Sequence, residues 1–347
     1  MAEALATKYR PRTFDDVTEQ GAVKTILLNQ LSSGDIKHAY LFCGAHGCGK
    51  TSCARIFANE INKGKGEPTE LDAASNNGVD DVRNIIQQSK TQSMDSEYRI
   101  FIIDEAHALS NNAWQAFLKT LEEPPKKSIF IFCTTNPERI PNTVLSRIQR
   151  FDFKRISTQG IADRLKHIIK EEIVYFEYNS GSKSDITFDI SAVNYIAKLA
   201  DGGMRDAITM LDKCLAYSTE LTVENVTKAL GTVDYEIMFT LTDAICNGDK
   251  STIIRTVEGI HADGKDLKQF IKDYTGFLLD VCKYDITKTF EFLQLPATYS
   301  GALNNYSQEW FRACQKILDI VVRLNSEIKW DTQPKITIEA VFLGGIV

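Results

Sequence analysis

The chain lacks the features of a membrane or exported protein. No apolar run approaches the roughly 20 residues that a membrane-spanning helix needs. The first residues, "MAEALATKYRPRTFDD", contain no apolar signal core, so export is not expected. The eight cysteines are scattered through a chain of 347 residues, which is too long to depend on disulfide bridges. These absences predict a cytoplasmic protein with no membrane partner.

Paired cysteines of the kind that hold structural zinc are also missing. There is no C-x-x-C pair anywhere in the chain. Cys43, Cys48 and Cys53 are spaced by five, but Cys48 lies inside a glycine-rich loop whose purpose is considered below. We therefore expect no zinc.

A positive charge balance is absent as well. The formal net charge is −6 at pH 7, which argues against a protein that coats nucleic acid along its whole surface. A local basic patch, or DNA held jointly by several subunits, remains compatible with this charge. The sequence shows no long linker, internal repeat or low-complexity tract, and its length allows two or three domains.

Short apolar runs alternate with helical patterns over residues 1–155. The runs are "HAYLFC" (38–43), "PTELD" (68–72), "YRIFIID" (98–104) and "KSIFIFCT" (127–134). This alternation predicts an α/β fold, with a parallel sheet covered by helices on both faces. Residues 156–231 predict a small helical domain, with two helices around a Gly-Gly turn and a polar loop over 177–187. Residues 232–347 predict a second all-helical domain.

The segment "GAHGCGKT" has the pattern of a phosphate-binding loop. It reads Gly44-x-x-x-x-Gly49-Lys50-Thr51, and it follows a predicted strand and opens a predicted helix. Backbone N–H groups and the helix N-terminus would face the phosphates. Lys50 would reach the β- and γ-phosphates, and Thr51 would ligate Mg²⁺. The alternative is a glycine-rich turn with a chance lysine.

Two carboxylates end the predicted strand "RIFIID". Asp104 and Glu105 would lie at the carboxyl edge of the sheet, where α/β proteins keep their ligands. Asp104 would hold Mg²⁺, and Glu105 would polarise a water for attack on the γ-phosphate. The letters "DEAH" also occur in helicases, but such enzymes need a second strand-rich lobe, and the residues after Arg155 predict helices.

Polar residues end the next strand, and two arginines follow. A side chain among Thr134, Thr135 and Asn136 could sense the γ-phosphate, or it could simply cap the strand. Arg147 lies in "LSRIQRFDF" and Arg205 in "GGMRDA", at the start of a predicted helix.

The motifs in their order resemble the AAA+ clamp-loader ATPases, in particular the gamma/tau family of bacterial DNA polymerase III subunits. The matching stretches span about residues 8 to 212: "KYRPRTFDDVTEQ", "HAYLFCGAHGCGKTSCARIFA", "ELDAASNNGVDDVRNI", "YRIFIIDEAHALS", "AFLKTLEEPP", "FIFCTTNPERIPNTVLSRIQRFDF" and "DGGMRDAITMLD". The resemblance implies an AAA+ core over 1–155, a helical lid over 156–231 and a helical collar over 232–347.

Further roles come from the resemblance alone. It implies that ATP contacts the residues Tyr9, Arg10, Pro11, Gly44, Gly47, Cys48, Gly49, Lys50, Thr51, Ser52 and Arg205. Thr135 corresponds to the sensor at the strand end, and Arg205 to a second sensor. Arg147 corresponds to an arginine finger that acts on the nucleotide of the neighbouring subunit. The isolated chain should then bind ATP and Mg²⁺ but hydrolyse ATP poorly.

The resemblance also implies macromolecular partners. Asn76, Asn77 and Arg83 match the segment that follows the DNA backbone, although the two asparagines could equally form a turn and helix cap. Met94 falls where family members touch the sliding clamp. Primer–template DNA, the clamp and other loader subunits in a pentameric hetero-oligomer are the expected partners.

The sequence departs from the family pattern in two respects. The usual four-cysteine zinc module is replaced by "NKGKGEPTE" (62–70), and Ile148 follows Arg147 where a cysteine is usual. The long tau extension is also absent, so a role in bridging helicase and polymerase is not expected.

We therefore expect an ATPase motor subunit of a sliding-clamp loader. Two alternatives stay open. One is another AAA+ DNA-remodelling ATPase, such as a branch-migration hexamer, and the other is a nucleotide-bound scaffold that does not hydrolyse.

Overall fold

The computed structural model describes residues 3–91, 93, 95–231, 235–290, 293–296 and 299–344. The chain forms two compact units. The first contains residues 1–184 and 200–212, and the second contains residues 185–199 and 213–347. Within the described residues, no helix combines the length and the apolar character needed to cross a membrane.

A parallel sheet lies at the centre of the first unit. Its strands are β1 (Ala39–Gly44), β2 (Thr69–Asp72), β3 (Arg99–Asp104), β4 (Ser128–Thr134) and β5 (Gln149–Phe153). Their order is β2-β3-β4-β1-β5, and every neighbouring pair is parallel. Because β1 lies between β4 and β5, the order reverses there, and the loop after β1 emerges at a crevice of the kind that binds ligands.

Helices cover both faces of this sheet. The helices of the first unit are α1 (Leu5–Lys8), α2 (Gly21–Ser33), α3 (Lys50–Ile61), α4 (Val79–Ser89), α5 (Asn111–Glu122), α6 (Asn142–Leu145), α7 (Thr158–Ser180) and the part of α9 (Met204–Tyr217) up to Asp212. Tyr40 and Phe42 of β1 pack with α2 and α3, whereas Leu41 and Cys43 pack with α4 and α5. Strands buried on both sides in this way read as continuous apolar runs, which confirms the predicted fold class.

The second unit is mainly helical. Its helices are α8 (Ile190–Leu199), the rest of α9, α10 (Val223–Leu230), α11 (Tyr235–Cys246), α12 (Lys250–Ala262), α13 (Leu267–Thr287), α14 (Ser300–Asn304), α15 (Gln308–Glu327) and α16 (Pro334–Leu343). The short strands β6 (Thr187–Phe188) and β7 (Glu220–Leu221) pair in parallel. Helices α13 and α15 pack along each other, around buried aromatic and aliphatic side chains.

Two local expectations differ from the structure. The sequence predicts a polar loop over 177–187, but α7 continues to its last residue, Ser180. Gly181 caps the helix with a left-handed φ of 67°. A polar, solvated helix face carries no apolar period, so the sequence pattern is lost there. Strand β5 is not among the four apolar runs named from the sequence, because "QRFDF" buries only Phe151 and Phe153. The division into a core, a lid and a collar stays a prediction.

Candidate nucleotide site

The loop between β1 and α3 is shaped for close approach of its backbone. Gly44 has φ 154°, and a Cβ built there would lie 2.5 Å from the carbonyl oxygen of Phe153 on β5. Gly47 has φ 69°, and its Cβ would meet the Cα of Gly203 at 3.0 Å. Neither position leaves room for a side chain, so the glycines of the motif are required by packing as well as by conformation. Cys48 of the same loop is buried, and burial raises the pKa of its thiol.

Lys50 and Thr51 begin α3 and face the loop and the strand edge. The Lys50 side chain is buried, and its Nζ donates to the carbonyl oxygens of Gly44 (3.0 Å) and Ala45 (2.8 Å). The Thr51 hydroxyl donates to Asp104 Oδ2 at 2.8 Å. A hydroxyl and a carboxylate oxygen that converge like this are hard donors suited to Mg²⁺, so these residues fit a magnesium-bound nucleotide.

Glu105 lies in an unusual backbone conformation directly after β3. Its φ is 46°, in the left-handed region, and its N–H donates to Asp104 Oδ1 at 3.0 Å. A non-glycine residue held in this region stores strain and is often found at functional sites. The two adjacent carboxylates have different partners, Thr51 for Asp104 and Thr135 for Glu105, so they can take different tasks.

The Glu105 carboxylate has two polar neighbours. Thr135 Oγ1 donates to Glu105 Oε2 at 3.3 Å, and His107 Nδ1 lies 3.3 Å from the same oxygen. His107 Nδ1 is also 3.1 Å from Thr134 Oγ1, which already accepts the N–H of Asn136. The donor in the His107–Thr134 hydrogen bond depends on the tautomer of the imidazole, and a proton on Nδ1 would also let His107 donate to Glu105. Thr135 therefore holds Glu105 by a hydrogen bond, and His107 lies beside the same carboxylate oxygen.

The loop before α9 brings Arg205 to the same place. Met204 N–H donates to the carbonyl oxygen of Gly47 at 3.0 Å. A Cβ at Gly203 would lie 3.3 Å from the carbonyl oxygen of His46, so the two loops touch backbone to backbone. Arg205 is the second residue of α9, and its side chain lines the cleft.

These elements enclose a cleft of about 690 Å³. Of the predicted site residues, the cleft is lined by Tyr9, Arg10, Pro11, Gly47, Cys48, Gly49, Lys50, Thr51, Ser52, Asp104, Glu105 and Arg205. Gly44 and Thr135 lie behind them and bond to Lys50 and Glu105. Tyr9 donates its hydroxyl proton to Glu172 at 2.7 Å, and burial together with this bond raises the pKa of Tyr9.

Other predicted residues lie elsewhere in the first unit. Arg147 follows α6 and does not line the cleft; its Nη2 lies 2.7 Å from Glu122 Oε1 at the end of α5. Asn76, Asn77 and Arg83 are exposed around the start of α4, and Arg83 pairs with Asp80 at 3.1 Å. Met94 lies outside the described residues.

Several side chains that line the cleft or bond to the segments around it were not anticipated. The buried Gln20 exchanges hydrogen bonds with the backbone of Lys154 (2.7 and 3.1 Å), which ties α2 to the segment after β5. Arg55 and Glu70 form a bidentate pair at 2.6 Å in the cleft wall, and these hydrogen bonds raise the pKa of Arg55. His107 lies two residues after Glu105, so that spacing was its only sequence signal. Gln20 had none, because it acts at a distance along the chain.

No group of three or more metal-binding side chains is found among the residues that the structure describes. The Thr51–Asp104 pair is therefore the candidate for metal binding, with the remaining ligands coming from phosphate and water. The cysteines are all unpaired.

The sheet order, the phosphate loop and the paired carboxylates define the class as a P-loop nucleotide-binding protein with the AAA+ fold. Solved structures agree on the fold. The Thermotoga maritima RuvB Holliday junction branch migration motor has a TM-score of 0.51 at 18% identity, covering 68% of this chain and 79% of that chain. Its T158V variant gives a TM-score of 0.52 at the same identity and coverage.

Family models and relatives narrow the class further. Models described as the DNA polymerase III delta subunit, the clamp-loader subunit ATPase lid domain, and domain III of subunits gamma and tau match residues 70–157, 182–220 and 221–343. DNA polymerase III subunit tau of Bacillus subtilis is 35% identical over 97% of this chain and 62% of that protein. Its counterpart in Escherichia coli is 32% identical over 80% of this chain and 44% of that protein. The chain belongs to the gamma/tau family of DNA polymerase III clamp-loader subunits.

The chain does not span the full length of these relatives. The matched region corresponds to about 62% of the Bacillus subtilis protein and 44% of the Escherichia coli protein.

Proposed function

We propose that this chain is an ATP-hydrolysing motor subunit of a sliding-clamp loader. The observation that carries the proposal is the convergence of Lys50, Thr51, Asp104, Glu105 and Arg205 on one cleft in a chain of the gamma/tau family. A nucleotide-bound scaffold would need the lysine and the threonine but would have no use for a held glutamate.

Binding would be divided among four parts of the cleft. Tyr9, Arg10 and Pro11 would surround the base and ribose, and the loop N–H groups with Lys50 would hold the phosphates. Mg²⁺, held by Thr51 and Asp104, would neutralise charge on the phosphate oxygens. Arg205 would approach the γ-phosphate from the start of α9, so nucleotide binding would stabilise the contact that this loop already makes with the phosphate loop.

Hydrolysis would depend on Glu105. Its carboxylate would orient a water and accept its proton as the water attacks the γ-phosphate. Thr135 would report the γ-phosphate, since it lies at the end of β4 and donates to Glu105 at 3.3 Å. His107 would keep Glu105 oriented through its Nδ1 proton, acting as a positioning residue rather than as a base.

Arg147 would complete the site of a neighbouring subunit. In its own chain it is held by Glu122 and lies outside the cleft lining. A cation that reaches the transferred phosphoryl group in trans accelerates the reaction by about 10³–10⁵-fold. The isolated chain would thus bind ATP and turn it over slowly, and assembly with other subunits into a pentamer would switch on hydrolysis.

Primer–template DNA and the clamp would control when the assembled subunits hydrolyse ATP. Asn76, Asn77 and Arg83 are exposed at the start of α4, and they would contact the DNA backbone without reading its sequence. We further propose that the chain works in the cytoplasm and binds no zinc.

Steady-state ATP turnover of the purified chain tests this proposal. It is measured alone, with primed DNA, with the cognate clamp, and with both, in the presence of partner subunits. We expect low turnover alone and a large increase only when clamp and primed DNA are both present. Turnover that ignores the clamp in the complete assembly would refute the clamp-loader function. A six-subunit mass of the active particle would instead favour a branch-migration type of ATPase.

A further inference from the structure

A second groove, of about 730 Å³, lies beside the nucleotide cleft. It runs between the N-terminal segment and α7, within the first unit. Tyr9, Arg10, Asp16 and Arg164 line both cavities, so they form a common wall. The remaining lining belongs to the groove alone, and the proposed ATPase function gives it no task.

The carboxylate of Glu172 on α7 joins this helix to the N-terminal segment, the other side of the groove. Glu172 Oε1 accepts from Lys8 Nζ and from the Tyr9 hydroxyl, both at 2.7 Å. Lys8 Nζ also lies 3.8 Å from the ring centroid of Tyr175, which is a cation–π contact. The groove is therefore built before any ligand arrives, which lowers the cost of binding.

Four basic side chains that line the groove are available to bind a ligand. Arg10, Arg12, Arg164 and Lys170 line it, and across the described residues none of them forms an ion pair. The lining carboxylates, by contrast, have partners. Asp16 accepts the N–H groups of Arg12 and Thr13 and the Thr13 hydroxyl, and Glu171 lies 3.1 Å from His167 Nε2. The groove therefore favours an anionic ligand.

Aromatic rings accompany these cations along α7. Tyr178 is 88% exposed and Tyr175 is 57% exposed. Val174, about one helical turn before Tyr178, is 65% exposed. His167, Lys170, Val174 and Tyr178 lie three or four residues apart, so they form one stripe on the helix. At a rise of about 1.5 Å per residue, this stripe is roughly 16 Å long. It can follow a few nucleotides of an extended strand.

We propose that this groove binds single-stranded nucleic acid, with Arg12 and Lys170 on phosphates and Tyr178 stacked on a base. Exposed rings next to free cations suit unpaired bases on a charged backbone, and such sites tolerate any sequence. An acidic peptide would use the cations but would leave the tyrosine ring without a partner. A duplex would hide its base faces from the ring.

Fluorescence anisotropy with a labelled oligothymidylate of about 12 nucleotides tests the groove. Wild-type chain should bind it with a salt-dependent affinity. Tyr178→Ala should weaken binding about tenfold, and Tyr178→Phe should retain it, because stacking needs the ring and not the hydroxyl. The double variant Arg12→Glu, Lys170→Glu should weaken binding and reduce the slope of log affinity against log salt by about 1.4, since two phosphate contacts are lost.

Matched controls separate the groove from the rest of the chain. Tyr217→Ala removes a tyrosine that is 56% exposed on α9, and Lys250→Glu reverses an exposed lysine at the start of α12. Neither should change oligothymidylate binding. ATP affinity should stay unchanged in every variant, because Arg12, Lys170 and Tyr178 do not line the nucleotide cleft.

Three outcomes would overturn the groove proposal. One is an unchanged affinity in both the Tyr178→Ala and the charge-reversal variants. Another is equal loss in the control variants, and the third is displacement of the oligonucleotide by oligoglutamate as effectively as by unlabelled strand. None of these depends on ATP turnover, so the groove and the proposed ATPase function can fail separately.

Discussion

The nucleotide cleft can be compared with the surface around Arg147 and Glu122, which we call the Arg147 edge. The two differ in how many of the groups needed for ATP hydrolysis they contain. In the cleft, a lysine, two carboxylates, a threonine and an arginine from distant parts of the sequence meet in one space. At the edge, Arg147 is paired with Glu122 and, among the described residues, stands outside the lining of the cleft. Under the proposed function, a single chain would contain a whole nucleotide-binding site, and Arg147 would serve the site of a neighbouring subunit.

Removal of Arg147 should have the largest effect, and only in the assembly. We expect Arg147→Ala to lower turnover of the DNA-stimulated complex about 10³-fold or more, because the transition-state charge loses its cation. ATP affinity of the isolated chain should not change, since Arg147 does not line its own cleft. The turnover number and the nucleotide dissociation constant measure the two effects. Arg139→Ala, an exposed arginine on the preceding turn, serves as the control and should behave as wild type.

Lys50→Ala should give the opposite pattern. The buried ammonium would be lost from the phosphate loop, so ATP binding should weaken about 10²-fold or more even in the isolated chain. Titration with a fluorescent ATP analogue checks this. Lys63→Ala changes an exposed lysine just after α3 and should leave binding intact. Wild-type affinity in Lys50→Ala would mean that the cleft does not bind phosphates as proposed.

His107→Ala should have a smaller effect that separates binding from chemistry. The variant removes an imidazole that lies 3.3 Å from the Glu105 carboxylate, so turnover should fall roughly 10- to 100-fold while KM for ATP stays the same. His107→Asn keeps a donor near the same position and should recover part of the rate. A rise in KM, or no difference between the alanine and asparagine variants, would show that His107 is merely structural.

The smallest effect should come from a helix cap beneath the Arg147 edge. Ser110 Oγ accepts the N–H of Ala113 at the start of α5, the helix that ends with Glu122. Ser110→Ala should lower the free energy of unfolding by about 1 kcal/mol. Turnover at a temperature well below the melting point should change less than twofold. Chemical denaturation measures the first quantity. A large loss of turnover would mean that α5 does more than support Glu122.

The sequence predicted the parts of the fold that are buried on both sides. Strands β1, β3 and β4 are continuous apolar runs, because helices cover both of their faces. A run of that kind can be recognised as a strand from a single sequence. Strand β5 is half polar, so its pattern was missed. The end of α7 was missed because its last turns are solvated.

The candidate site shows the same division between local and distant signals. Lys50, Thr51, Asp104 and Glu105 belong to short motifs whose spacing encodes their chemistry. Arg55 and Arg164 reach the cleft from separate elements, and only the folded chain brings them there. His107 lies 3.3 Å from the carboxylate of Glu105, a residue with a left-handed backbone that no local sequence pattern predicts.

The most direct test of the central claim is a mixing experiment with two inactive variants. Lys50→Ala supplies intact arginines but defective clefts, and Arg147→Ala supplies intact clefts without arginines. Each is assembled alone and then in equal mixture, with partner subunits, clamp and primed DNA, and ATP turnover is measured. We predict that each variant alone is nearly inactive and that the mixture recovers a substantial part of the wild-type rate. A mixture as inactive as its components would contradict the claim that Arg147 completes a neighbour's site.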